Sequence, residues 1–383
     1  MKWRLCAAIL LMAGCQSAPL ADITPGDAPA LESDEAGWWM TWEKAEQEIA
    51  TSGNRIADPE LDAYLKGVIC KIAAEYCSAL RVYVMRQPDF NAQMAPNGMM
   101  IVWSGLLIRV QNEAQLAAVL GHEIGHYQRR HTLSIMRKLR KTTTALTAIA
   151  LMTGGVVPAA ADAAILVGMG TLLHHNREQE AEADTIGIER IAAAGYDPRE
   201  VAEIWAGIAR EAKADKQFST LGFFATHPAP ETRLRDMAAQ AQKLLAPQNE
   251  RNTGAAQFDA AVVSYRMMLL NDEITMRKHE RSNVVIDRLL EEETISLEAA
   301  AFFRGELYRV RGEKGDDLRA VAQYREAVTG AEPPPQAYRN LGLVLRRLGE
   351  KALAREAFQN YVEHAPDATD RAMVDTYVQE LTQ

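Results

Sequence analysis

Residues 122–126 read His-Glu-Ile-Gly-His and lie inside a helix-forming run. Positions four residues apart share one face of a helix, about one turn apart, so His122 and His126 can hold one metal ion between them. Glu123 projects beside that ion, where it can take a proton from a metal-bound water. This is the H-E-x-x-H arrangement of zinc peptidases. It predicts a catalytic zinc site on a helix.

A tetrahedral catalytic zinc takes three protein ligands and leaves one position for water. The extended pattern H-E-x-x-H-x-x-G-x-x-H would supply a third histidine. It fails here because Arg129 and Thr132 occupy the glycine and histidine positions. The alternative is a glutamate from a later helix, and the run 176–187 offers Glu180 for that role.

Glu180 and Asp184 are four residues apart and therefore share a helix face. Ala183 and Gly187 lie on nearly the same stripe, and their small size lets this helix approach the one that carries His122. We therefore predict Glu180 as the third zinc ligand. Asp184 can then accept a hydrogen bond from the far nitrogen of a ligand histidine, which fixes the tautomer of that histidine.

Three other polar residues near these motifs are interpreted as surface groups. His131 is one position out of register for a third histidine ligand. Glu178 and Glu182 point away from the face that carries Glu180, so we expect both carboxylates to be solvated.

Several stretches of the chain occur in an order typical of one known family: Ala95-Pro96-Asn97-Gly98 through Gly105-Leu106-Leu107, His122 to His126, the E-x-x-A-D core within 177–184, and Thr226-His227-Pro228 followed by Arg233-Leu234. In these stretches the chain resembles the family-48 metallopeptidases of the HtpX/BepA/LoiP type, whose fold is a gluzincin. The resemblance covers roughly residues 40–245, with Asn176 standing where the family usually has serine. It implies one Zn²⁺ per chain, a substrate-binding strand near 95–107, and outer-membrane proteins as substrates.

His227 and Arg233 are candidate catalytic residues beside Glu123. A neutral imidazole is a good zinc ligand, so His227 can take the place of the water and latch the site, or swing away and assist the transition state. The resemblance supports a regulatory loop, and the alternative is a loop histidine packed under later helices. Arg233 can bind a substrate carbonyl or the oxyanion, or form an ion pair that fixes the loop.

The N-terminus is predicted to be a targeting segment. Basic residues precede an apolar run, 5–13, that is too short to cross a bilayer. Residues 11–15 then have the pattern of a lipobox, which predicts a signal peptide over 1–14 and lipidation of Cys15. An ordinary signal peptide or an uncleaved anchor are the alternatives. Residues 15–35 are expected to be a flexible tether.

The predicted location bears on the remaining cysteines. Gln16, rather than aspartate, follows Cys15, which favours an outer-membrane lipoprotein facing the periplasm. That compartment permits disulfides. Cys70 and Cys77 would lie about 10 Å apart on one unbroken helix, too far for a bond. A disulfide therefore requires the helix to end near Ala74.

The whole chain is expected to be mainly α-helical with a small β-sheet. Asn112 is predicted to cap the helix of the motif, with Gln115 completing a capping box. The other elements expected are helices over 42–50 and from Pro59, and strands over 81–84 and 99–103. The apolar run 142–173 is interpreted as a helical hairpin that covers the active site or touches lipid, with a transmembrane helix as the alternative.

The 383 residues suggest two domains, with a zinc metallopeptidase domain over 36–246 and a linker over 247–255. Residues 256–383 are predicted to form a TPR-like helical repeat domain, because the spacing of key residues fits a tetratricopeptide repeat: Tyr338, Leu341, Gly342, Leu345, Ala354, Phe358 and Pro366. Its concave face would bind a protein partner, and the alternative is a helical cap that only stabilises the protease.

These patterns predict a zinc endopeptidase of the bacterial envelope, and the resemblance implies misfolded or misassembled outer-membrane proteins as its substrates. Its partners would be polypeptides and, through Cys15, the membrane. Nucleic acid is excluded as a main partner because 51 acidic residues outnumber 42 basic ones. One alternative is a periplasmic chaperone or assembly factor in which proteolysis is secondary. Another is a structural zinc site, which four ligands would normally close.

Overall fold

The computed structural model describes residues 20–138, 140, 175–215, 227 and 231–382. Within these ranges the protein is mainly α-helical with one small β-sheet, as predicted. The elements up to residue 244 are α1 Asp34–Ala50, α2 Pro59–Ile72, β1 Arg81–Met85, β2 Ala92–Met94, β3 Met99–Trp103, α3 Ser104–Leu107, α4 Glu113–Gln128, a helical stretch over 131–138, α5 Arg177–Ala193, α6 Glu200–Ala214 and α7 Glu231–Leu244.

Helices also make up nearly all of the described chain after residue 254. They are α8 Ala255–Val262, α9 Arg266–Thr275, α10 His279–Glu291, α11 Leu297–Arg311, α12 Asp316–Ala327, α13 Pro335–Arg347, α14 Lys351–His364 and α15 Arg371–Glu380.

The sheet has the strand order β1-β3-β2, with β1 parallel and β2 antiparallel to β3. The sequence predicted β1 and β3 but missed β2, a three-residue strand that is too short to show an alternating pattern. Because β3 has a neighbour on each side, its backbone is already paired, and the expectation that it pairs with a substrate is wrong. Among the described residues, β2 provides the edge on that side of the sheet.

Helix α4, which carries the H-E-x-x-H motif, is buried along almost its whole length. The side chain of Asn112 accepts a hydrogen bond of 2.9 Å from the backbone N–H of Gln115, which is the predicted N-cap. The side-chain oxygen of Gln115 instead accepts from the backbone N–H of Gln111 at 3.0 Å. The predicted capping box is therefore incomplete, since the second bond goes one residue upstream.

The start of the described chain packs against the end of α4. Ile23 is buried, and its backbone N–H donates to the carbonyl of Gln128 at 3.0 Å. The hydroxyl of Tyr76 donates to the Ile23 carbonyl at 2.9 Å. Helix α1 begins at Asp34, eight residues before the predicted start at 42. The predicted tether therefore does not stay flexible to residue 35, because Ile23 packs against α4 and helix α1 begins at Asp34.

Cys70 and Cys77 form a disulfide with their Cα atoms 4.6 Å apart. Helix α2 ends at Ile72, which is the break that the sequence required near Ala74. A short 3-10 turn, Ala74–Tyr76, then leads the chain back towards α2. Cys15 and the apolar run 142–173 lie outside the described residues. No helix within the described ranges is both long and apolar enough to cross a membrane.

The segment predicted as a linker lies against α4. The backbone N–H of Ala114 donates to the carbonyl of Thr253 at 2.9 Å. Phe258 of α8 is buried in the same cluster of apolar side chains as residues of α2 and α4. Residues 247–255 therefore connect two parts of the chain whose apolar side chains lie in one cluster.

Buried ion pairs join the two predicted domains. Arg109 donates to Glu211 of α6 at 2.7 Å and to Glu273 of α9 at 2.8 Å. Arg288 of α10 donates to the backbone carbonyls of Arg109 and Ile108 at 2.7 and 2.6 Å. Side chains of α9 and α10 are thus paired with residues of the predicted protease domain, while the boundary at 247 stays a prediction.

The helices after α10 pack as successive pairs, α11 with α12 and α13 with α14. Each pair has the same close contact between a glycine and an aromatic ring. A Cβ atom at Gly305 would lie 2.6 Å from the ring of Tyr324, and one at Gly342 would lie 2.6 Å from the ring of Phe358. This recurrence supports a helical repeat, while the tetratricopeptide assignment stays a prediction.

Candidate metal centre

Helices α4 and α5 cross at backbone contact distance. A Cβ atom at Gly125 would lie 2.9 Å from the Cα of Ala183, and one at Gly187 would lie 3.0 Å from the backbone nitrogen of His122. The small residues of α5 suggested this approach from the sequence, and Gly121 and Gly125 are their counterparts on α4. The close crossing brings side chains of α5 within reach of the histidines of α4.

Four side chains form a buried group that could hold a metal ion. Each member offers one nitrogen or oxygen atom, and these atoms all lie within 4.8 Å of one another; the members are His122, His126, Glu180 and His227. The Nε2 atoms of His122 and His126 are 3.0 Å apart, and Oε1 of Glu180 lies 3.4 Å from Nε2 of His126. Imidazole nitrogen and carboxylate oxygen are ligand atoms that zinc takes in catalytic sites. The chemistry of this set therefore fits zinc.

The surroundings of the ligand group favour the protonation states that metal binding requires. Burial lowers the pKa of His126 and of His227, which favours their neutral, ligating forms. Burial raises the pKa of Glu180, but the contacts of His227 and His126 outweigh burial and hold that pKa below its ordinary value. The direction of each pKa shift favours the form of the side chain that binds a metal ion.

Glu123 lies next to this group and has different surroundings. Its Oε1 is buried without a hydrogen-bond partner among the described residues, and the nearest ring nitrogen, Nε2 of His227, is 3.6 Å away. Burial, followed by the negative charge of Glu180, raises the pKa of Glu123. A carboxylate with a raised pKa is a better proton acceptor, as a general base requires.

Asp184 and Arg233 support the group from behind. Oδ1 of Asp184 lies 3.0 Å from Nδ1 of His122, the nitrogen that faces away from the ligand cluster. Arg233 donates to Asp184 twice, at 2.6 and 2.8 Å, and lies 2.6 Å from Oε2 of Glu180. Of the two roles predicted for Arg233, these contacts favour the ion pair, because the guanidinium is engaged with two buried carboxylates.

His227 lies inside the ligand group. Its Nδ1 is 2.9 Å from Oε1 of Glu180 and 3.2 Å from Nε2 of His122. It is buried, with 3% of its surface exposed. These contacts place the imidazole where a fourth ligand would lie, and they do not favour the alternative of a loop histidine under the later helices.

Two histidines near the site were not identified from the sequence. His131 was interpreted as a surface residue, but only 5% of it is exposed, and its Nδ1 lies 2.9 Å from Nδ1 of His126. The helix stops at Gln128 and the chain turns at Arg130, which has φ 55°, so spacing along a straight helix misplaced His131. The ring of His175 stacks on His126 with the ring centres 3.8 Å apart.

A small cavity of about 30 Å³ lies beside the centre. It is lined by residues of β2 together with Trp42, Ile101, Thr132 and the site residues Glu123 and His227. The edge of the sheet and the candidate base therefore face the same space.

A buried H-E-x-x-H helix with a glutamate from a second helix defines the class of metalloproteases. Residues 56–241 match the model of Peptidase family M48. The matched stretch is just under half of the chain and contains His122, Glu123, His126, Glu180 and His227.

Curated relatives agree with this class. The chain is 30% identical over 199 residues to a putative beta-barrel assembly-enhancing protease of Vibrio cholerae, covering 49% of this chain and 40% of the relative. It is 25% identical over 208 residues to the beta-barrel assembly-enhancing protease of Escherichia coli, covering 52% and 42%. It is 30% identical over 154 residues to the mitochondrial metalloendopeptidase OMA1 of Schizosaccharomyces pombe, covering 40% and 44%. The matched segment is less than half the length of each relative.

Proposed function

We propose that this chain is a zinc-dependent endopeptidase in which His122, His126 and Glu180 hold the metal and Glu123 is the general base. The observation that carries the proposal is the buried ligand group with a carboxylate oxygen of Glu123 beside it that has no hydrogen-bond partner in the described part of the chain. A structural zinc site would not need that carboxylate. His227 is the candidate for a fourth, exchangeable ligand.

The residues divide the chemistry between them. A zinc ion bound here would polarise the scissile carbonyl and lower the pKa of its water towards neutrality. Glu123 is placed to accept a proton from an attacking water and would deliver it to the leaving amine as the peptide C–N bond breaks. Asp184 orients the ring of His122, and Arg233 neutralises the paired carboxylates of α5.

The edge of β2 is the candidate binding site for the substrate backbone. The backbone N–H of Trp103 donates to the carbonyl of Asn91, and the backbone N–H of Ala95 donates to the carbonyl of Met99. The backbone groups of Asn91 and Ala95, on either side of β2, therefore point towards β3. In an antiparallel pair the backbone groups of the alternate residues, Ala92 and Met94, then point away from β3. An extended polypeptide added at this edge would gain main-chain hydrogen bonds with little dependence on its sequence.

The substrates and partners follow from the relatives. Two relatives are named for enhancing beta-barrel assembly, so misfolded or misassembled outer-membrane proteins are the substrates we propose. The lipid anchor on Cys15, the periplasmic location and partner binding by the helical repeat belong to the same proposal. The second candidate is an assembly factor with secondary proteolysis, and it is favoured by the names of those relatives, which refer to assembly.

Three variants of the full chain test the proposal. Wild-type protein should carry about one zinc per chain and cleave unfolded casein. Glu123→Gln should keep the zinc and lose activity by about 10²–10⁴-fold or more, because only the proton transfer is removed. Glu180→Ala should lose both zinc and activity.

Glu178→Gln is the matched control, since Glu178 lies exposed on the same helix as Glu180. It should bind zinc and cleave casein as the wild type does. Full activity of Glu123→Gln would overturn the mechanism, and zinc-loaded protein without any cleavage would favour the assembly factor.

A further inference from the structure

His126 has a second polar contact on the side of its ring that faces away from Glu180. Its Nδ1 lies 2.9 Å from Nδ1 of His131. The other ring nitrogen of His131, Nε2, lies 3.1 Å from Oε2 of Glu182. The three side chains form a chain that runs from the ligand group to the surface, where 53% of the Glu182 side chain is exposed.

The direction of each hydrogen bond follows from the role of His126. If His126 holds the metal through Nε2, its Nδ1 carries the proton and donates. His131 must then accept at Nδ1, which places its own proton on Nε2. That proton points to a carboxylate oxygen of Glu182, so both contacts are satisfied by one set of tautomers.

The two histidines of the motif are thus supported in parallel ways. His122 has the carboxylate of Asp184 at its far nitrogen, 3.0 Å away. His126 has His131 at the same place, with Glu182 behind it. Both carboxylates come from α5, as does Glu180. Partners of this kind fix the tautomer and ring orientation of a metal-binding histidine and raise its basicity.

We propose that His131, backed by Glu182, is a positioning residue that holds His126 in the orientation and tautomer for metal binding. The inference rests on the proposed assignment of His126 as a zinc ligand. It gives a role to a buried histidine that lies outside the H-E-x-x-H motif. His131 is neither in the ligand group of His122, His126, Glu180 and His227 nor in the lining of the cavity beside it, so it acts only through His126.

The same nitrogens suggest one rival. His126, His131 and His175 each offer a ring nitrogen within 4.8 Å of the others, and such a group can hold a metal ion. In that case the contact between His126 and His131 would be bridged by a second ion. The number of zinc ions per chain separates the two explanations.

The test is the zinc dissociation constant of the full chain, measured by competition with a chelator. His131→Leu removes the acceptor while keeping an apolar side chain in the core, and it should weaken zinc binding by about 10–100-fold. His131→Asn keeps an acceptor near the position of Nδ1 and should recover most of that loss. A purely structural role for His131 would lower the thermal stability of both apo variants without this rescue of zinc affinity.

Glu182 provides a second test at an exposed position that does not disturb the core. Glu182→Gln keeps an acceptor but removes the charge, so zinc binding should weaken in the same direction and by less. Glu178→Gln, which makes the same change at an exposed residue of α5, should leave zinc affinity unchanged.

The results that would overturn this inference differ from those that would overturn the proposed function. Wild-type affinity in His131→Leu would overturn the inference while leaving the proposed function intact. A second zinc per wild-type chain that disappears in both His131 variants would assign the contact to the rival site and also overturn it. A wild-type chain that binds no zinc at all would overturn the proposed function and the inference together.

Discussion

Arg109 donates a hydrogen bond of 2.8 Å to the carboxylate of Glu273, and both side chains are shielded from solvent. The two residues lie on opposite sides of the segment predicted as a linker. Arg109 also pairs with Glu211 of α6. This buried ion pair therefore joins the helices after residue 254 to the protease core, because separating the two parts would leave a buried charge without its partner.

The first prediction concerns a chain that ends at Ala246. It should be insoluble or unable to retain zinc, because truncation removes Glu273 and exposes the core that receives Phe258. A chain ending at Thr329 keeps α8 to α12 and should remain soluble and bind zinc. Solubility and zinc content of the two chains provide the measurement. A chain ending at Ala246 with wild-type zinc content and melting temperature would contradict it.

The second prediction is a pH dependence of stability from Glu273. Burial raises the pKa of Glu273, but Arg109 and Arg281 outweigh burial and hold it below its ordinary value. A lowered folded-state pKa stabilises the protein above the unfolded-state pKa, about 4.3, and this contribution is lost as pH falls through the folded value. Glu273→Gln should therefore cost about 1.5–3 kcal/mol at pH 7 and less near pH 4.

Urea unfolding at the two pH values measures this difference. Glu48→Gln, at an exposed position of α1, is the control and should change the free energy of unfolding little at either pH. An equal loss of stability for Glu273→Gln at pH 7 and pH 4 would show that the charge of Glu273 is not responsible.

The third prediction concerns His227. Because its Nδ1 lies inside the ligand group, His227→Ala should reduce the number of nitrogen ligands seen by X-ray absorption by one. Basal cleavage of casein should rise, since the position that water needs is no longer contested. His364→Ala, at an exposed histidine of α14, should change neither quantity. An unchanged nitrogen count in His227→Ala would remove the latch from the mechanism.

The fourth prediction separates the two roles considered for Arg233. Arg233→Met leaves the carboxylates of Asp184 and Glu180 buried without their cation, and it should cost about 3–5 kcal/mol of stability and weaken zinc binding. Arg233→Lys keeps the charge without the planar fork and should be intermediate. Thermal unfolding and chelator competition measure these effects. A higher KM at unchanged zinc affinity would instead assign Arg233 to substrate binding.

The fifth prediction concerns the anchor. Cys15→Ser should abolish acylation and release the protein from the membrane fraction, as measured by fractionation and mass spectrometry. Cys6→Ser is the matched control, because the predicted cleavage removes that residue. If Cys15→Ser protein remains with membranes after a salt wash, the apolar run 142–173 becomes the candidate anchor.

Local patterns predicted the centre of the fold well. The spacing of four between His122 and His126, and between Glu180 and Asp184, is itself a property of the helix, so sequence alone places these side chains on shared faces. The break after α2 was also predictable, because a bond between Cys70 and Cys77 is incompatible with a continuous helix.

Contacts between distant parts of the chain were not predictable in this way. Nothing near Arg109 indicates that its partner is Glu273, which follows 164 residues later. His131 was misplaced because a single turn at Arg130, with positive φ, returns the chain towards the site. Strand β2 exists because β3 pairs with it, and its three residues carry no pattern of their own.

The crossing of α4 and α5 has a consequence for genetics. At Gly125 and Gly187 the backbone of the neighbouring helix occupies the space that a methyl group would need. Alleles that add one carbon at these glycines would push the two helices apart and resemble active-site knockouts, although every reactive group would still be encoded. A mutational scan scored by metal retention would therefore mark positions without any chemistry of their own as strongly as the ligands. Reading such a map as a list of catalytic residues would mistake spacing for reactivity.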